Sequence, residues 1–370
     1  MKNTFGTSVS VTIFGESHGP GIGAVLDGLA PGIPVDEEAI AHRLSLRRPG
    51  GAISTSRVEP DRFRIVSGVF GGRTTGTPIC ILIPNENARS RDYESTRALA
   101  RPGHADYTAF CKYHGYEDYR GGGHFSGRIT AALAAVGAIA QSALDGQSIR
   151  IGTHIARCAG ISDLRFSDLG LNDLESALMS LSKKSFPVLD PNAAEQMRAA
   201  IEEAAAEYDS VGGILETAVT GLPAGIGEPW FDSLEGVLSH ALFSIPAVKG
   251  VEFGGGFALA DIRGSTANDS FSVQGEKIIT NTNHNGGING GISNGMPLLF
   301  RCAVKPTSSI AREQQTVDFI EHTNQILRIT GRHDPAIVHR AGIVVSSVTA
   351  LVLCDMLAQR FGTDYLKPGT

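Results

Sequence analysis

Residues 9–14 alternate apolar and polar positions, the period of a strand with one buried face. Apolar runs at 79–83 and 298–300 are each led by a Gly-x-Pro turn, Gly76-Thr77-Pro78 and Gly295-Met296-Pro297, and predict further strands. Helical spacing takes over at 40–44 and 234–242, where apolar residues mark one face. Segments 129–144 and 343–360 are apolar enough to predict long helices in the core. The stretch 193–208, rich in Ala and Glu, predicts another helix, preceded by the polar run Lys183-Lys184-Ser185.

These elements recur in the same order. Val25-Leu26-Asp27-Gly28-Leu29-Ala30-Pro31-Gly32-Ile33 reads like Val219-Thr220-Gly221-Leu222-Pro223-Ala224-Gly225-Ile226. Each is a strand end and a turn before a helix with an apolar face. The Gly-x-Pro strand follows, then a basic turn bearing histidine, then the long apolar helix. The two basic turns are Arg101-Pro102-Gly103-His104-Ala105-Asp106 and Gly331-Arg332-His333-Asp334-Pro335. A single domain over 1–370 is expected, with half-repeats at about 1–149 and 211–370 and an insertion at about 150–210. A pseudo-two-fold axis would bring the polar turns together and put a ligand between the halves.

Composition narrows the function. No segment reaches ~18 unbroken apolar residues and residues 1–6 lack an apolar signal core, so neither a membrane span nor a leader is expected. Five scattered Cys without a C-x-x-C pair point to a reducing cytoplasm and away from a metal site or disulfide frame. A net charge of −6 argues against a nucleic-acid partner. The cations are unevenly placed, however. No lysine lies between Lys2 and Lys112, whereas Arg43, Arg47, Arg48, Arg57, Arg62 and Arg64 crowd one stretch. The guanidinium fork suits bidentate contacts to carboxylate and phosphate. Over the whole chain Arg outnumbers Lys 24 to 8, so genomic base composition explains the ratio but not the clustering.

Several turns carry candidate chemistry. Asn283-His284-Asn285-Gly286-Gly287-Ile288-Asn289-Gly290-Gly291-Ile292-Ser293-Asn294-Gly295 allows positive φ and close backbone approach. With Lys305-Pro306-Thr307-Ser308-Ser309 it reads as a backbone-lined anion cradle, although either piece alone reads as a loop. Gly15-Glu16-Ser17-His18-Gly19 ends the first strand and presents a hydroxyl and an imidazole, or is a solvated turn. Arg120-Gly121-Gly122-Gly123-His124-Phe125-Ser126-Gly127-Arg128 leads into a helix, where free N–H groups favour an anion. No G-x-G-x-x-G, Walker pattern or metal-ligand cluster occurs. Acid–base work by His18, His104 and Asp334 on a highly anionic ligand set is the chemistry these residues suggest.

Taken in order, these blocks resemble the chorismate synthase family over nearly the whole chain. The resemblance rests on FGESHG at 14–19, RRPG at 47–50, RPGHADYT at 101–108, YRGGG at 119–123, DSVGG at 209–213 and GLPAGIGEP at 221–229. SIPAVKGVEFG at 244–254, the Gly/Asn loop, KPTSSI at 305–310 and GRHDP at 331–335 complete it. It implies an α+β fold, a β-α-β sandwich with helices layered between two mostly antiparallel sheets and an internal pseudo-two-fold duplication. It implies a cytoplasmic homotetramer that converts 5-enolpyruvylshikimate 3-phosphate to chorismate by 1,4-elimination of phosphate, with reduced FMN and no net redox change. By the same resemblance His18 is the acid for the leaving phosphate, His104 meets flavin N1, and Asp334 with Ser17 relays the proton. Arg47, Arg48, Arg57, Arg101 and Arg128 fall at substrate-binding positions. His124, Phe125, Ser126, Ala247, Gly290, Lys305, Pro306, Thr307, Ser308, Ser309 and Arg332 fall at FMN positions.

The chain departs from the family pattern in places. Many members have Arg-Ser-Ser-Ala-Arg where this chain has His124-Phe125-Ser126-Gly127-Arg128. An arginine often linked to NADP falls near Ile53, and Pro246 stands where Asn is common. The long insertions of bifunctional members are absent, so a monofunctional lyase served by an external flavin reductant is expected. Two alternatives stand beside it. A flavin- or phosphate-binding paralogue without activity would have no need of His18, His104 and Asp334. A hydrolase using Ser17 and His18 would label at Ser17 with a serine-directed phosphonate.

Overall fold

The computed structural model describes residues 2–51, 53–54, 60–86, 96–329 and 334–369. The first half runs through β1 (Thr4–Phe5), β2 (Ser10–Gly15), β3 (Gly21–Asp27), helix α1 (Glu37–Arg47) and β4 (Arg64–Ser67). A short ribbon of β5 (Val69–Phe70) and β6 (Arg73–Thr74) precedes β7 (Ile79–Pro84), α2 (Asp106–Tyr113) and α3 (Thr130–Gly146). Five strands pair antiparallel in the order β1-β2-β3-β7-β4. Ile22 lies opposite Ile83, Ala24 opposite Ile81 and Leu26 opposite Ile79, all buried, so the period of two builds one continuous apolar face.

The second half begins with β8 (Arg150–Cys158), β9 (Ile161–Ser162), α4 (Leu171–Leu181), α5 (Pro191–Ala206) and β10 (Gly213–Thr220). Then come α6 (Leu234–Leu242), β11 (Val248–Phe253), the single turn α7 (Gly264–Ala267) and the ribbon β12 (Phe271–Gln274) with β13 (Lys277–Thr280). The hairpin β14 (Ile288–Asn289) and β15 (Ile292–Ser293) leads to β16 (Leu298–Val304), the ribbon β17 (Glu313–Asp318) with β18 (Thr323–Arg328), and α8 (Val338–Phe361). The sheet order is β9-β8-β10-β16-β11, again antiparallel. Place for place, β8, β10, β16 and β11 stand where β2, β3, β7 and β4 stand in the first sheet.

This order moves the boundary expected at residue 211. Residues 150–158 are a central strand of the second sheet, not part of an insertion. The added segment lies between β9 and β10 and carries α4 and α5. Its counterpart in the first half is the tight turn between β2 and β3. The period of β8 is hard to see because α4 covers its outer face too. A Cβ on Gly152 would lie 2.9 Å from the Cα of Leu178, and Leu174, Leu178 and Leu181 pack with Ala218 and Leu299 on that side.

Helices α3 and α8 fill the layer between the sheets. They meet where a Cβ on Gly137 would stand 2.3 Å from that of Ser347. The segment 127–146 and α8 are each long and apolar enough to cross a bilayer, yet 72% and 94% of their most apolar windows are buried inside the protein. An apolar surface all round is what a helix sandwiched between two sheets requires.

Under the added segment lies a buried charged cluster. His154 on β8 bonds Asp163 through Nδ1 (2.8 Å) and Glu216 through Nε2 (3.0 Å). The Asp163 carboxylate also accepts from the backbone N–H of Leu189 and Asp190, and Glu216 from that of Phe166. The two carboxylates therefore clamp the segment to the sheet. Burial alone would lower the His154 pKa, but its bonds to Asp163 and Glu216 outweigh that and raise it. Asp163 is held below the usual carboxylate range, because His154 and the two N–H groups overcome its own burial. The raised imidazole stabilises the fold fully below its unfolded pKa of about 6.5, and this contribution is lost as pH rises through the folded value. The Asp163 contribution is present above about 3.9 and is lost as pH falls through its lowered folded value. His154→Gln is expected to cost about 3–5 kcal/mol at about pH 6, measured by urea unfolding. That gap should narrow toward about pH 9; a gap that stays constant across this range contradicts the clamp.

Candidate active site

A cavity of about 680 Å³ opens where the two halves meet, beside the N-terminal ends of α3 and α8. The first half contributes Arg47 from the end of α1, the turn 101–105 and the segment 121–130. The second contributes 243–248, Lys305, Pro306, Thr307, Ser308, Ser309 and, around the start of α8, Asp334, Ile337, Arg340, Ala341 and Val344. Turns distant in sequence converge here because corresponding connections of the two sheets face each other across the helix layer. Two helix N-termini at one end of that layer favour negative charge.

The glycine turn does something other than expected. Gly121, Gly122 and Gly123 have φ of 59°, 83° and 52°, and α3 starts only at Thr130, so they are not its first turn. Their missing side chains make room for imidazoles. A Cβ on Gly121 would lie 2.1 Å from His18 Cε1, and one on Gly122 would lie 3.0 Å from His104 Cε1. Backbone bonds tie this turn to the β2–β3 connection: Ser17 N donates to Gly123 O (3.0 Å) and His124 Nδ1 to Gly15 O (2.8 Å). A carbonyl only accepts, so His124 carries its proton on Nδ1. His18 and Ser17 thus stand directly behind Gly121 on the cavity wall. The Ser17 hydroxyl is fully buried and has no hydrogen-bond partner among the described residues. A hydrolytic nucleophile needs a base within reach, so the hydrolase alternative loses its central pair.

Pocket arginines are each anchored to a carboxylate. Asp61 is fully buried and bonds Arg47 Nη2 through Oδ2 (3.0 Å) and Arg128 Nη1 through Oδ1; Arg48 Nε lies 3.9 Å away. Arg101 grips Asp106 bidentately, with Nε to Oδ2 at 2.7 Å and Nη2 to Oδ1 at 2.6 Å. Burial alone would raise the Asp106 pKa, but Arg101 and His104 hold it well below the usual carboxylate range. Arg340 Nη1 donates to Asp334 Oδ2 (2.5 Å) and its Nε to Arg47 O (2.7 Å), joining α8 to the end of α1. The rest of the early arginine cluster divides. Arg43 reaches into the helix layer to Ser347 Oγ (3.0 Å), and Arg62 and Arg64 are exposed. Arg57 and Arg332 lie outside the described residues.

Across the cavity, Lys305 Nζ donates to Gly103 O, joining the halves. Thr307 Oγ1 is buried without a hydrogen-bond partner among the described residues, next to the Ser308 and Ser309 hydroxyls. Ala247, at φ 74°, also lines the cavity, as do His124, Phe125 and Ser126. Gly290 does not. The Gly/Asn segment forms the β14–β15 hairpin, and its backbone is stapled by Asp269, which accepts from His284 N, Asn285 N and Thr282 Oγ1. Its glycines serve close backbone packing: a Cβ on Gly286 would lie 2.5 Å from Gly254 N. The Gly/Asn half of the expected anion cradle is therefore not part of this cavity wall.

Asp61, Asn85 and Arg340 were not foreseen as site residues. Asn85 Oδ1 accepts from Arg128 Nε (3.1 Å) while its amide nitrogen donates to Glu16 O and Gly19 O, tying the histidine turn to the arginines. Nothing local in the sequence marks Asp61 and Asn85, whose shared partner Arg128 lies far along the chain, and Arg340 adds to its near partner Asp334 a bond to the distant Arg47 O.

A sequence profile of the family described as chorismate synthase matches residues 9–358. Relatives named chorismate synthase from Dehalococcoides mccartyi and Aeropyrum pernix are 47% and 45% identical to this chain. These matches cover 98% and 97% of it and 98% and 93% of their own lengths. A solved structure described as a crystal structure of chorismate synthase superposes with a TM-score of 0.77 at 28% identity. It covers 97% of this chain and 94% of that one.

The glycine turn can be tested by a matched pair. Gly121→Ala should lower stability by about 1–3 kcal/mol and displace His18, because the backbone is left-handed and the ring is in the way. Gly127 has open space and no positive φ, so Gly127→Ala should stay within about 0.5 kcal/mol. Urea unfolding with histidine-selective NMR reads both; an unshifted His18 ring in Gly121→Ala counts against the packing described.

Proposed function

The chain belongs to the chorismate synthase family, carbon–oxygen lyases of the shikimate pathway, and on that premise we propose how the cavity divides the work of the elimination. The observation that carries this reading is a surplus of cations around the cavity, with His104 on its lining and His18 behind Gly121. Among the described residues Arg47, Arg48, Arg101, Arg128, Arg340 and Lys305 are set against Asp61, Asp106 and Asp334. A chain of net charge −6 has gathered positive charge in one place. The substrate, 5-enolpyruvylshikimate 3-phosphate, carries two carboxylates and a phosphate. Like charges ~4 Å apart repel by about 4 kcal/mol at an effective dielectric near 20, so such a ligand needs that surplus. Arg47, Arg48, Arg101 and Arg128, with Arg57, bind its anionic groups.

Reduced FMN fits a set of donors that line the same cavity. The unpartnered Thr307 Oγ1, the Ser308 and Ser309 hydroxyls and Lys305 suit a phosphate, with Pro306 shaping the turn. His124, Phe125, Ser126, Ala247 and Arg332 would complete the flavin contacts, and His104 would meet flavin N1. When bound, reduced FMN lends electron density to the departing allylic C–O bond and recovers it as the ring hydrogen leaves, with no net oxidation. His18 donates the proton that leaves with the phosphate oxygen. Asp334, its carboxylate oriented by Arg340, takes up the proton released, with Ser17 Oγ as the hydroxyl relay. The cavity walls orient both ligands and exclude water.

The reading extends to a cytoplasmic, monofunctional homotetramer supplied by an external flavin reductant. Exposed Trp230, Phe231, Phe257 and Phe271 support association, since aromatic surface of this kind marks contact sites.

Anaerobic assay with 5-enolpyruvylshikimate 3-phosphate and chemically reduced FMN should give chorismate, followed by its absorbance, whereas oxidised FMN should give none. His104→Ala should lower turnover by about 10²–10⁴-fold while FMN still binds. Absence of product from folded, flavin-loaded protein rejects the catalytic reading and leaves the inactive paralogue.

A further inference from the structure

Asp106 occupies the first turn of α2 but does not cap it; no side chain caps that helix. Its carboxylate turns back instead and meets two cavity residues at once. Oδ2 accepts from Arg101 Nε (2.7 Å) and from the Arg101 backbone N–H (3.0 Å). Oδ1 accepts from Arg101 Nη2 (2.6 Å) and lies 2.8 Å from His104 Nδ1. An ionised carboxylate offers only lone pairs, so Nδ1 must carry the proton in that contact. Arg101 Nη2 also lies 3.0 Å from Nδ1. Two donors face each other there, and only the shared oxygen between them makes the arrangement favourable. The far edge of the ring, Cε1 and Nε2, rests against Gly122, where a Cβ would stand at 3.0 and 3.1 Å. Asp106 on one side and bare glycine backbone on the other leave the imidazole one orientation.

We propose that Asp106 is a positioning residue for the elimination: it fixes the His104 proton on Nδ1 and holds imidazole and guanidinium as one rigid unit. The inference rests on the reading that His104 meets the flavin and Arg101 the substrate. It goes beyond that reading by assigning the tautomer, and by making one carboxylate responsible for the geometry of both contacts. A carboxylate behind a working imidazole acts by orientation; in metal sites, losing such a partner costs about 10- to 100-fold, and a loss of that order is expected here.

The test uses the full chain loaded with reduced FMN. Asp106→Asn keeps the shape but accepts either tautomer. Turnover at saturating substrate should fall by about 10- to 100-fold, with the reduced-FMN dissociation constant changed by less than about threefold. Because Asp106 acts on turnover through His104 and on substrate binding through Arg101, Asp106→Asn added to His104→Ala should lower turnover at saturating substrate by less than about threefold more, any further cost appearing in KM. Wild-type turnover in Asp106→Asn, or its full cost persisting in the His104→Ala background, overturns the proposal. Wild-type turnover in His104→Ala sinks the reading on which it rests, a distinguishable result. If Asp106→Asn fails to fold, the ¹⁵N spectrum of His104 in the wild-type protein decides. A proton on Nδ1 supports the assignment, and a bare Nδ1 overturns it.

Discussion

Cations gathered around a cavity must be held apart without losing their attraction for a ligand, and the ion pairs at this cavity answer that constraint. A buried guanidinium is costly unless paired. Here Arg47 and Arg128 share Asp61, Arg101 takes Asp106, and Arg340 takes Asp334. Each pair removes part of the mutual repulsion and fixes the plane of a fork. Positive charge remains in surplus, as the proposed polyanionic substrate requires. The carboxylates thus belong to the cavity as much as the arginines do.

The doubled architecture serves that end. Two sheets of the same strand order enclose α3 and α8, whose starts lie at the cavity. Corresponding segments of the two halves then meet at the cavity, the first-half turn bearing Arg101 and His104, the second-half segment bearing Asp334 and, in the first turn of α8, Arg340. Lys305 joins the halves by its bond to Gly103 O. The segment added between β9 and β10 is fastened at the far side of the second sheet by the His154 cluster, so it covers that sheet without entering the cavity.

Much of the fold was legible along the chain because its signals are periodic. Alternation marked β2, the apolar runs marked β7 and β16, and predominant apolarity marked α3 and α8 as core helices. β8 escaped because helix α4 buries its second face, which replaces alternation with Gly152, Thr153 and His154. In the site, His104, Asp334, Arg47, Arg101, Arg128 and the 305–309 segment sit on one cavity, as their residue types suggested. Gly290 lies away from this cavity, in a hairpin whose other glycines, such as Gly286, let backbone approach backbone closely.

The chain by itself determined the kinds of groups available: guanidinium and imidazole side chains on glycine-rich turns, framed by strands and apolar helices of recognisable period. Which groups meet was decided only by the tertiary structure. Asp61 and Arg128, Asn85 and Arg128, and Lys305 and Gly103 are brought together by sheet pairing and helix packing. An ion pair depends on distance in space, and distance in space is not a function of sequence separation once two sheets have closed over a common layer of helices.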